Sequence, residues 1–152
     1  MKVAIITAST AVYKGEQEDA SGKVIRKMVE EAGLDVVFMK ALPTDKTVLS
    51  TVFQRMADGN LADLILTTGG AGCGPEDCTP EATMEVVDRP LLGIPEGMRA
   101  HMLTLTKRAM LNRAAAGIRG KVVIVNLPGK AGAVKECLGY ILPEVMHAVE
   151  VA

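Results

Sequence analysis

The stretch LILTTGGAGCGPEDCTP, residues 64–80, joins a short apolar run to a glycine-rich loop and then to the start of a helix. The apolar run is typical of a buried strand, and Thr79-Pro80 favours a helix with threonine as N-cap and proline in the first helical position. Four glycines in the loop allow the backbone to approach a ligand closely. Neither the Walker spacing nor the dinucleotide fingerprint is present, so the loop alone predicts either an anion cradle or an ordinary strand-to-helix turn.

The rest of the chain repeats this alternation of strand and helix. Short β-branched runs predict buried strands at Lys2–Thr7, Asp35–Lys40, Leu61–Thr68 and Lys121–Asn126. Apolar residues at helical spacing predict helices that end near Gly33 and near Gly59, one at about Pro95–Met110, and a last helix kinked or broken at Pro143. Residues 8–22 and 111–120 carry no clear pattern. The sequence therefore predicts one α/β domain over residues 1–152, with three layers in an α/β/α order and a mostly parallel sheet.

The composition of the chain argues against nucleic acid and membrane as binding partners. The 152 residues have a formal net charge of -1 and only 3% aromatic side chains, so the chain lacks the basic field and the stacking platforms of nucleic-acid-binding proteins. No apolar run approaches the roughly 20 residues of a transmembrane helix, and no secretory signal pattern opens the chain. Three cysteines, without CxxC or HxxxH spacing, predict neither a disulfide framework nor a zinc site. We expect a cytoplasmic protein with small-molecule substrates and no nucleic-acid or membrane partner.

The predicted sheet indicates where a ligand binds. In open α/β sheets, ligands bind beyond the carboxyl ends of the strands. Three loops meet this condition, and they follow Thr7, Thr68 and Asn126. We expect the functional site where these three loops meet.

Five ordered motifs together resemble the molybdopterin adenylyltransferase family, which includes the gephyrin G domain. The most specific is TTGGAG, four residues, then DCTPEAT at Thr67–Thr83, where family members typically have TTGGTG and DVTPEAT. GEQEDASG at Gly15–Gly22 is similar to the Asp-x-Ser-Gly segment of the family, and LPTDKTVL at Leu42–Leu49 to the loop that holds its first essential aspartate. LNRAAAGIRGKVVIVNLPG at Leu111–Gly129 and KECLGYILPEVMHAV at Lys135–Val149 complete the resemblance over nearly the whole chain.

The resemblance implies an activity. Members of the family bind molybdopterin and transfer AMP from ATP, with Mg²⁺, to its terminal phosphate, and they release pyrophosphate. It also implies a homotrimer or hexamer and a partner protein that inserts molybdenum or tungsten. Nucleotidyl transfer depends mainly on positioning and on the neutralisation of phosphate charge, for which Mg²⁺ uses one or two carboxylates together with substrate oxygens.

The motif matches also imply site residues. Asp45 and Asp77 match the two essential aspartates of the family; we assign Asp77 to Mg²⁺ and triphosphate placement and Asp45 to the attacking phosphate, although these roles could be exchanged. The alternative for either aspartate is N-capping of the following helix. The implied substrate-binding residues are Asp19, Gly22, Thr68, Gly69, Gly70, Ala71, Gly72, Asn112, Arg113, Pro128 and Gly129.

Four departures from the family pattern open other interpretations. Ala71 stands where the family usually has threonine, and Glu76 stands where it has a cation. Asn112 replaces a serine, and Lys130-Ala131-Gly132 replaces a frequent Ser-Pro-Lys stretch. Ala71 and Glu76 motivate the alternative of a non-catalytic paralogue that binds pterin or acts as a scaffold. A third possibility is the related domain of competence-damage-inducible proteins, against which the absence of a second domain counts. Cys78, close to a helix N-terminus, is a candidate nucleophile, whereas Cys73 is interpreted as a loop filler.

Overall fold

Six strands form one mixed sheet in a computed structural model that describes residues 1–152. The strands are β1 (Lys2–Ala8), β2 (Asp35–Leu42), β3 (Leu64–Thr68), β4 (Arg89–Pro90), β5 (Ala116–Arg119) and β6 (Val122–Leu127). Their order in the sheet is β2-β1-β3-β6-β5-β4, and the first four strands in this order are parallel to one another. β5 pairs antiparallel with both β6 and β4. The mostly parallel sheet predicted from the sequence is confirmed.

Six α-helices cover both faces of this sheet. They are α1 (Thr10–Tyr13), α2 (Ala20–Glu31), α3 (Lys46–Asp58), α4 (Thr79–Val86), α5 (Gly93–Leu103) and α6 (Ala131–Val151), with a 3₁₀ helix at Lys107–Leu111. Successive residues of a strand point to opposite faces. Val3 and Ile5 accordingly belong to a core cluster with α2, α5 and α6, whereas Ala4 and Ile6 belong to a second cluster with α3 and α4. The two clusters confirm the three-layer arrangement.

Several predicted boundaries need correction. The predicted strand Leu61–Thr68 begins only at Leu64, and the unassigned residues 111–120 contain strand β5. β5 joins β6 through a tight turn in which Gly120 has a φ of +60°. An alanine- and glycine-containing strand has no β-branched pattern to reveal it, and its place in the sheet depends on its pairing with β6 and β4.

The helix expected at about Pro95–Met110 is two elements. α5 ends at Leu103, and the 3₁₀ helix starts at Lys107 after Thr106, whose side chain accepts a hydrogen bond from the Arg108 amide at 3.2 Å. A capping side chain of this kind competes with a continuing α-helix. None of the helices combines the length and the apolar character needed to cross a bilayer.

Pro143 does not break the last helix. α6 runs from Ala131 to Val151 with Pro143 inside it. The nearby residues Leu142 and Val145 are buried in the core cluster, whereas Pro143 itself is exposed. Packing of the apolar face therefore outweighs the hydrogen bond that proline removes.

Candidate active site

The loops that follow β1, β3 and β6 lie against one another at the carboxyl edge of the sheet. The Thr68 hydroxyl donates a hydrogen bond to the carbonyl oxygen of Pro128 at 2.5 Å, which joins the end of β3 to the loop after β6. A Cβ atom at Gly69 would lie 2.5 Å from the carbonyl oxygen of Ala8, and one at Gly129 would lie 3.4 Å from the Gly69 Cα. The three loops are in contact, as the sequence predicts, and glycine is what permits this approach.

The glycine loop returns to its own helix through Thr79. The amide of Thr79 donates to the Gly70 carbonyl at 3.0 Å, and its hydroxyl donates to the Gly69 carbonyl at 2.9 Å. Thr79 was predicted to be the N-cap of α4, and this is wrong. Cys78 occupies the cap position without a capping hydrogen bond, and Thr79 is the first helical residue. The Thr79 hydroxyl therefore binds the glycine loop and does not cap the N-terminus of α4.

Replacing Gly70 with alanine is expected to destabilise the fold. Gly70 has a φ of +68°, and a Cβ atom there would lie 2.2 Å from the Thr79 Oγ1. A strained backbone and the loss of the Thr79 contact should together cost about 1–3 kcal/mol of unfolding free energy, measured by urea denaturation. Gly132→Ala is the control, because a Cβ atom at Gly132 meets nothing within 4 Å and helical alanine is favourable. Equal midpoints for the two variants would contradict the prediction.

Asp77 turns back on the glycine loop rather than capping α4. Its Oδ2 accepts a hydrogen bond from the Gly74 amide at 2.8 Å, and its own amide donates to the Gly74 carbonyl at 3.1 Å. The capping alternative therefore does not describe Asp77. Its Oδ1 accepts no hydrogen bond from the protein and remains available to a ligand.

Arg113 holds the glycine loop in place. Its Nε donates to the Gly72 carbonyl at 2.6 Å, and one Nη donates to the Asp77 carbonyl at 2.9 Å. The guanidinium also forms two hydrogen bonds with the carboxylate of Glu81, at 2.7 and 3.1 Å. The amide of Arg113 adds a bond to the Ala71 carbonyl at 2.8 Å. Arg113 was predicted to bind substrate. Its guanidinium instead donates hydrogen bonds to the loop that carries Asp77 and to Glu81.

The charges of this pair favour its ionised form. The hydrogen bond and the charge of Arg113 lower the pKa of Glu81, and Glu81 in turn raises the pKa of Arg113. Both side chains are partly exposed to solvent, which screens their attraction. The contribution of the pair therefore lies mainly in the geometry of the loop.

Two cavities flank the loop. The first, of about 270 Å³, is called the acidic cavity here because Glu18 and Asp19 outnumber its single cation, Lys130. Its polar wall includes Thr7, Ser9, Gln17, Ser21 and Thr68. Gly69 also lines it. It lies between the ends of β1 and β3 and the first residues of α2 and α6.

The second cavity, of about 530 Å³, is called the basic cavity. Arg99, Arg108 and Lys130 line it together with a single acid, Asp77. Predicted substrate-binding residues on its wall are Gly70, Ala71, Gly72, Asn112, Pro128 and Gly129. An excess of cations favours an anionic ligand. Arg99 and Arg108 could not be identified from the sequence, because they come from α5 and the 3₁₀ helix and only the fold brings them to the glycine loop.

Asp45 lies outside both cavities. Its Oδ1 accepts a hydrogen bond from the Val48 amide at 3.0 Å, so it is the N-cap of α3, as the capping alternative predicts. The carboxylates of Asp45 and Asp77 both raise the pKa of the Cys78 thiol, so both act on the same residue at the start of α4. α3 packs against α4, and an ion pair between Lys46 and Glu85 at 3.4 Å joins the two helices.

Asp19 and Gly22 form a second capped corner of the site. The Thr7 hydroxyl donates to Asp19 at 2.9 Å, and the Gly22 amide donates to its Oδ1 at 3.0 Å, so Asp19 is the N-cap of α2. A Cβ atom at Gly22 would lie 2.4 Å from the Asp19 Oδ2, which explains the glycine. Asp19 lines the acidic cavity, whereas Gly22 supports it from behind.

The departures at Glu76 and Asn112 have different surroundings. Glu76 is exposed and lines neither cavity, so its negative charge lies outside the region where phosphates are expected. Asn112 lines the basic cavity, and its Oδ1 accepts a hydrogen bond from the Ala114 amide at 2.7 Å. The charge reversal at position 76 therefore does not by itself argue against phosphate binding.

Cys78 has the position predicted for a nucleophile but not the electrostatics. Burial raises the pKa of its thiol, and the carboxylates of Glu81, Asp45 and Asp77 raise it further. Because the thiolate is the reactive form, this surrounding opposes nucleophilic catalysis at neutral pH. Cys73 is exposed and its thiol donates to the carbonyl oxygen of Leu111 at 3.3 Å, consistent with a loop filler.

A buried polar network behind the glycine loop went unnoticed in the sequence. The Asn126 side chain donates to the hydroxyls of Thr67 at 3.0 Å and Thr83 at 2.9 Å, and it accepts from the Ala115 amide at 3.0 Å. Asn126, Thr67 and Thr83 are fully buried. An asparagine at the end of an otherwise apolar strand was the available signal, since buried polar groups need partners.

Known proteins resemble this chain over most of its length. Residues 4–147 match the family model described as a probable molybdopterin binding domain. A molybdopterin adenylyltransferase of Helicobacter pylori is 35% identical over 150 residues, which cover 97% of this chain and 85% of that protein. The match thus spans all three loops of the site.

Two solved structures share the fold. The molybdopterin biosynthesis enzyme MoaB of Thermus thermophilus superposes with a TM-score of 0.92 at 37% identity, covering 99% of this chain and 94% of that one. The tungsten cofactor synthesizing protein MoaB of Pyrococcus furiosus has a TM-score of 0.87, also at 37% identity, with 99% and 96% covered. The name of the first refers to molybdopterin biosynthesis, and that of the second to synthesis of the tungsten cofactor.

Proposed function

This chain belongs to the family of molybdopterin-binding domains that includes the molybdopterin adenylyltransferases, and we propose that it transfers AMP from ATP to the terminal phosphate of molybdopterin. In this reaction a phosphate oxygen of the pterin attacks the α-phosphorus of ATP, and pyrophosphate leaves. The relatives that carry a named activity favour this function over that of a competence-damage-inducible domain.

The observation that carries the proposal is the pair of adjoining cavities at one edge of the sheet. A transfer between two bound substrates needs both of them held so that the reacting atoms meet in line. The acidic and basic cavities meet at Gly129 and Lys130, and the glycine loop runs along both of them. This arrangement suits two substrates that meet at the shared wall.

The charges of the walls suggest how the substrates are divided. The three cations of the basic cavity favour the phosphates. In the acidic cavity, the hydroxyls of Ser9 and Ser21 and the carboxylate of Asp19 offer donors and acceptors to uncharged hydroxyl and ring groups. We propose that the phosphates point toward the basic cavity and that the rest of one substrate occupies the acidic cavity.

Asp77 is the residue that we propose for Mg²⁺. No three acidic, histidine or cysteine side chains are grouped closely enough to form a complete metal site. Magnesium in nucleotide sites is commonly held by one or two carboxylates together with phosphate oxygens and water. The free Oδ1 of Asp77, at the wall of the basic cavity, fits this incomplete donor set. The ion would neutralise charge on the phosphates.

The direct test is to incubate the purified protein with molybdopterin and MgATP and to measure pyrophosphate and adenylated pterin. We expect both products in equal amounts, and neither product when the pterin is omitted. Tight binding of molybdopterin with no pyrophosphate above the control would reject the enzyme and favour the non-catalytic paralogue. Activity with Mg²⁺ but not after its removal by a chelator would support the ion assigned above.

We further propose a cytoplasmic homo-oligomer, trimeric or hexameric, that passes its product to a protein that inserts molybdenum or tungsten. Large apolar side chains are exposed at the two ends of α5 and in the residues that follow it, which is typical of a surface covered in an assembly. These are Leu92, Leu103, Leu105, Met110 and Leu111. Leu111 also lines the basic cavity, so such an assembly would border the site.

A further inference from the structure

Lys130 occupies a position that no other charged residue shares. Only Gly129 and Lys130 line both the acidic and the basic cavity. Lys130 directly precedes α6, and its carbonyl accepts a hydrogen bond from the Val134 amide at 2.9 Å, so the helix fixes its backbone. The stem therefore starts from a rigid point at the boundary between the cavities.

The ammonium group of Lys130 is not engaged elsewhere in the protein. It forms no ion pair and no hydrogen bond, and the residue is exposed. Arg99 differs in this respect, because it donates to the carbonyl oxygens of Asn112 and Ala114 at 3.4 and 3.1 Å. Lys130 is thus free to move with a ligand, whereas Arg99 is partly committed to the fold.

The chemistry needs a cation at this boundary. A bond forms between the pterin phosphate oxygen and the α-phosphorus, and the bond from that phosphorus to the oxygen of the departing pyrophosphate breaks. Negative charge is spread over the transferring group and the leaving oxygen in the transition state. If the substrates approach from the two cavities, the transferring group lies at their shared wall.

We propose that Lys130 is a catalytic residue that contacts the α-phosphate of the AMP being transferred, from the wall shared by the acidic and basic cavities. This inference rests on the proposed function. It also gives a role to the departure at 130–132, since this chain has its lysine at the shared wall and a glycine at the position where the family pattern has lysine. A cation placed where charge develops accelerates the chemical step more than it strengthens substrate binding.

The test is Lys130→Met, which keeps an apolar stem of similar length and removes the charge. With saturating molybdopterin and MgATP, we expect the kcat for pyrophosphate release to fall by about 10- to 100-fold, less than for a buried donor because the cavity is open to solvent. The affinities for molybdopterin and for a non-hydrolysable ATP analogue should change by a smaller factor. Lys130→Arg should retain most of the activity, since the charge remains.

Lys135→Met is the matched control, because Lys135 lies on the same helix, is exposed and lines neither cavity. Its kcat should equal that of the wild type. A wild-type kcat in Lys130→Met, or a loss confined to KM, would overturn the role of Lys130 and leave the proposed function intact. Absence of pyrophosphate release by the wild type would instead reject the proposed function, and the Lys130 proposal with it.

Discussion

Asp77→Asn is expected to lower the kcat for adenylyl transfer on the order of 10³-fold while the fold stays intact. The asparagine oxygen can still accept the hydrogen bond from the Gly74 amide, so the substitution removes the charge without removing the contact that shapes the loop. Neutralisation of phosphate charge by a bound metal is worth several kcal/mol, and each 1.4 kcal/mol of barrier is about tenfold in rate. Pyrophosphate release at saturating substrates measures the effect.

Asp45→Asn separates the two roles open to Asp45. Asparagine is as good an N-cap as aspartate, so the hydrogen bond from the Val48 amide and the stability of α3 should persist. Alanine would confuse the result, because loss of the cap alone costs about 1 kcal/mol. We expect Asp45→Asn to lower kcat as well, which would support its assignment to the attacking phosphate. A normal rate would leave Asp45 with capping alone, and a normal rate in Asp77→Asn would refute the role of Asp77.

The central strands could be predicted because each is a local run of apolar residues, which is typical of a buried strand. β1, β3 and β6 are apolar, largely β-branched runs whose residues are buried on both faces of the sheet. Strand β5, with the sequence AGIR, has no such pattern, and its place depends on pairing with β6 across a tight turn. Strands held mainly by their neighbours are not visible in a single sequence.

The site could be predicted only in part, and for a similar reason. The strand-end rule located the three loops, and the glycines indicated that they would be in close contact. The role of Arg113 depends on bonds to Gly72 and Asp77, 41 and 36 positions earlier in the chain, which no local pattern encodes. The cations Arg99 and Arg108 likewise reach the basic cavity only because α5 and the 3₁₀ helix fold over the glycine loop.

Arg113→Met is expected to reduce kcat/KM on the order of 10²-fold, although Arg113 lines neither cavity. The variant loses the bonds to the carbonyl oxygens of Gly72 and Asp77 and the paired bonds to Glu81, so the loop that carries Asp77 is no longer held. A displacement of about 1 Å in a positioned group is enough for a loss of this size. The free energy of unfolding should fall by only about 1 kcal/mol, because the pair is partly exposed.

Arg119→Met is the matched control, because it also removes an arginine that forms paired hydrogen bonds with a carboxylate. Arg119 donates to both carboxylate oxygens of Asp58, at 2.8 and 3.1 Å, and to the Val86 carbonyl at 2.7 Å, and it lines neither cavity. It should lose a similar amount of stability and keep the wild-type kcat/KM. Equal kcat/KM values for the two variants would show that Arg113 does not position the loop.

The pH dependence of stability gives an independent measure of the Arg113–Glu81 pair. Because the folded pKa of Glu81 is lowered from its ordinary value of 4.5, the pair stabilises the fold above that value and loses its contribution as the pH falls through the lowered folded pKa. The difference in unfolding free energy between the wild type and Arg113→Met should therefore be constant from pH 6 to pH 8, on the order of 1 kcal/mol, and shrink in acid. A difference that did not change with acidification would show that the stabilisation comes from packing of the arginine stem rather than from the charge of Glu81.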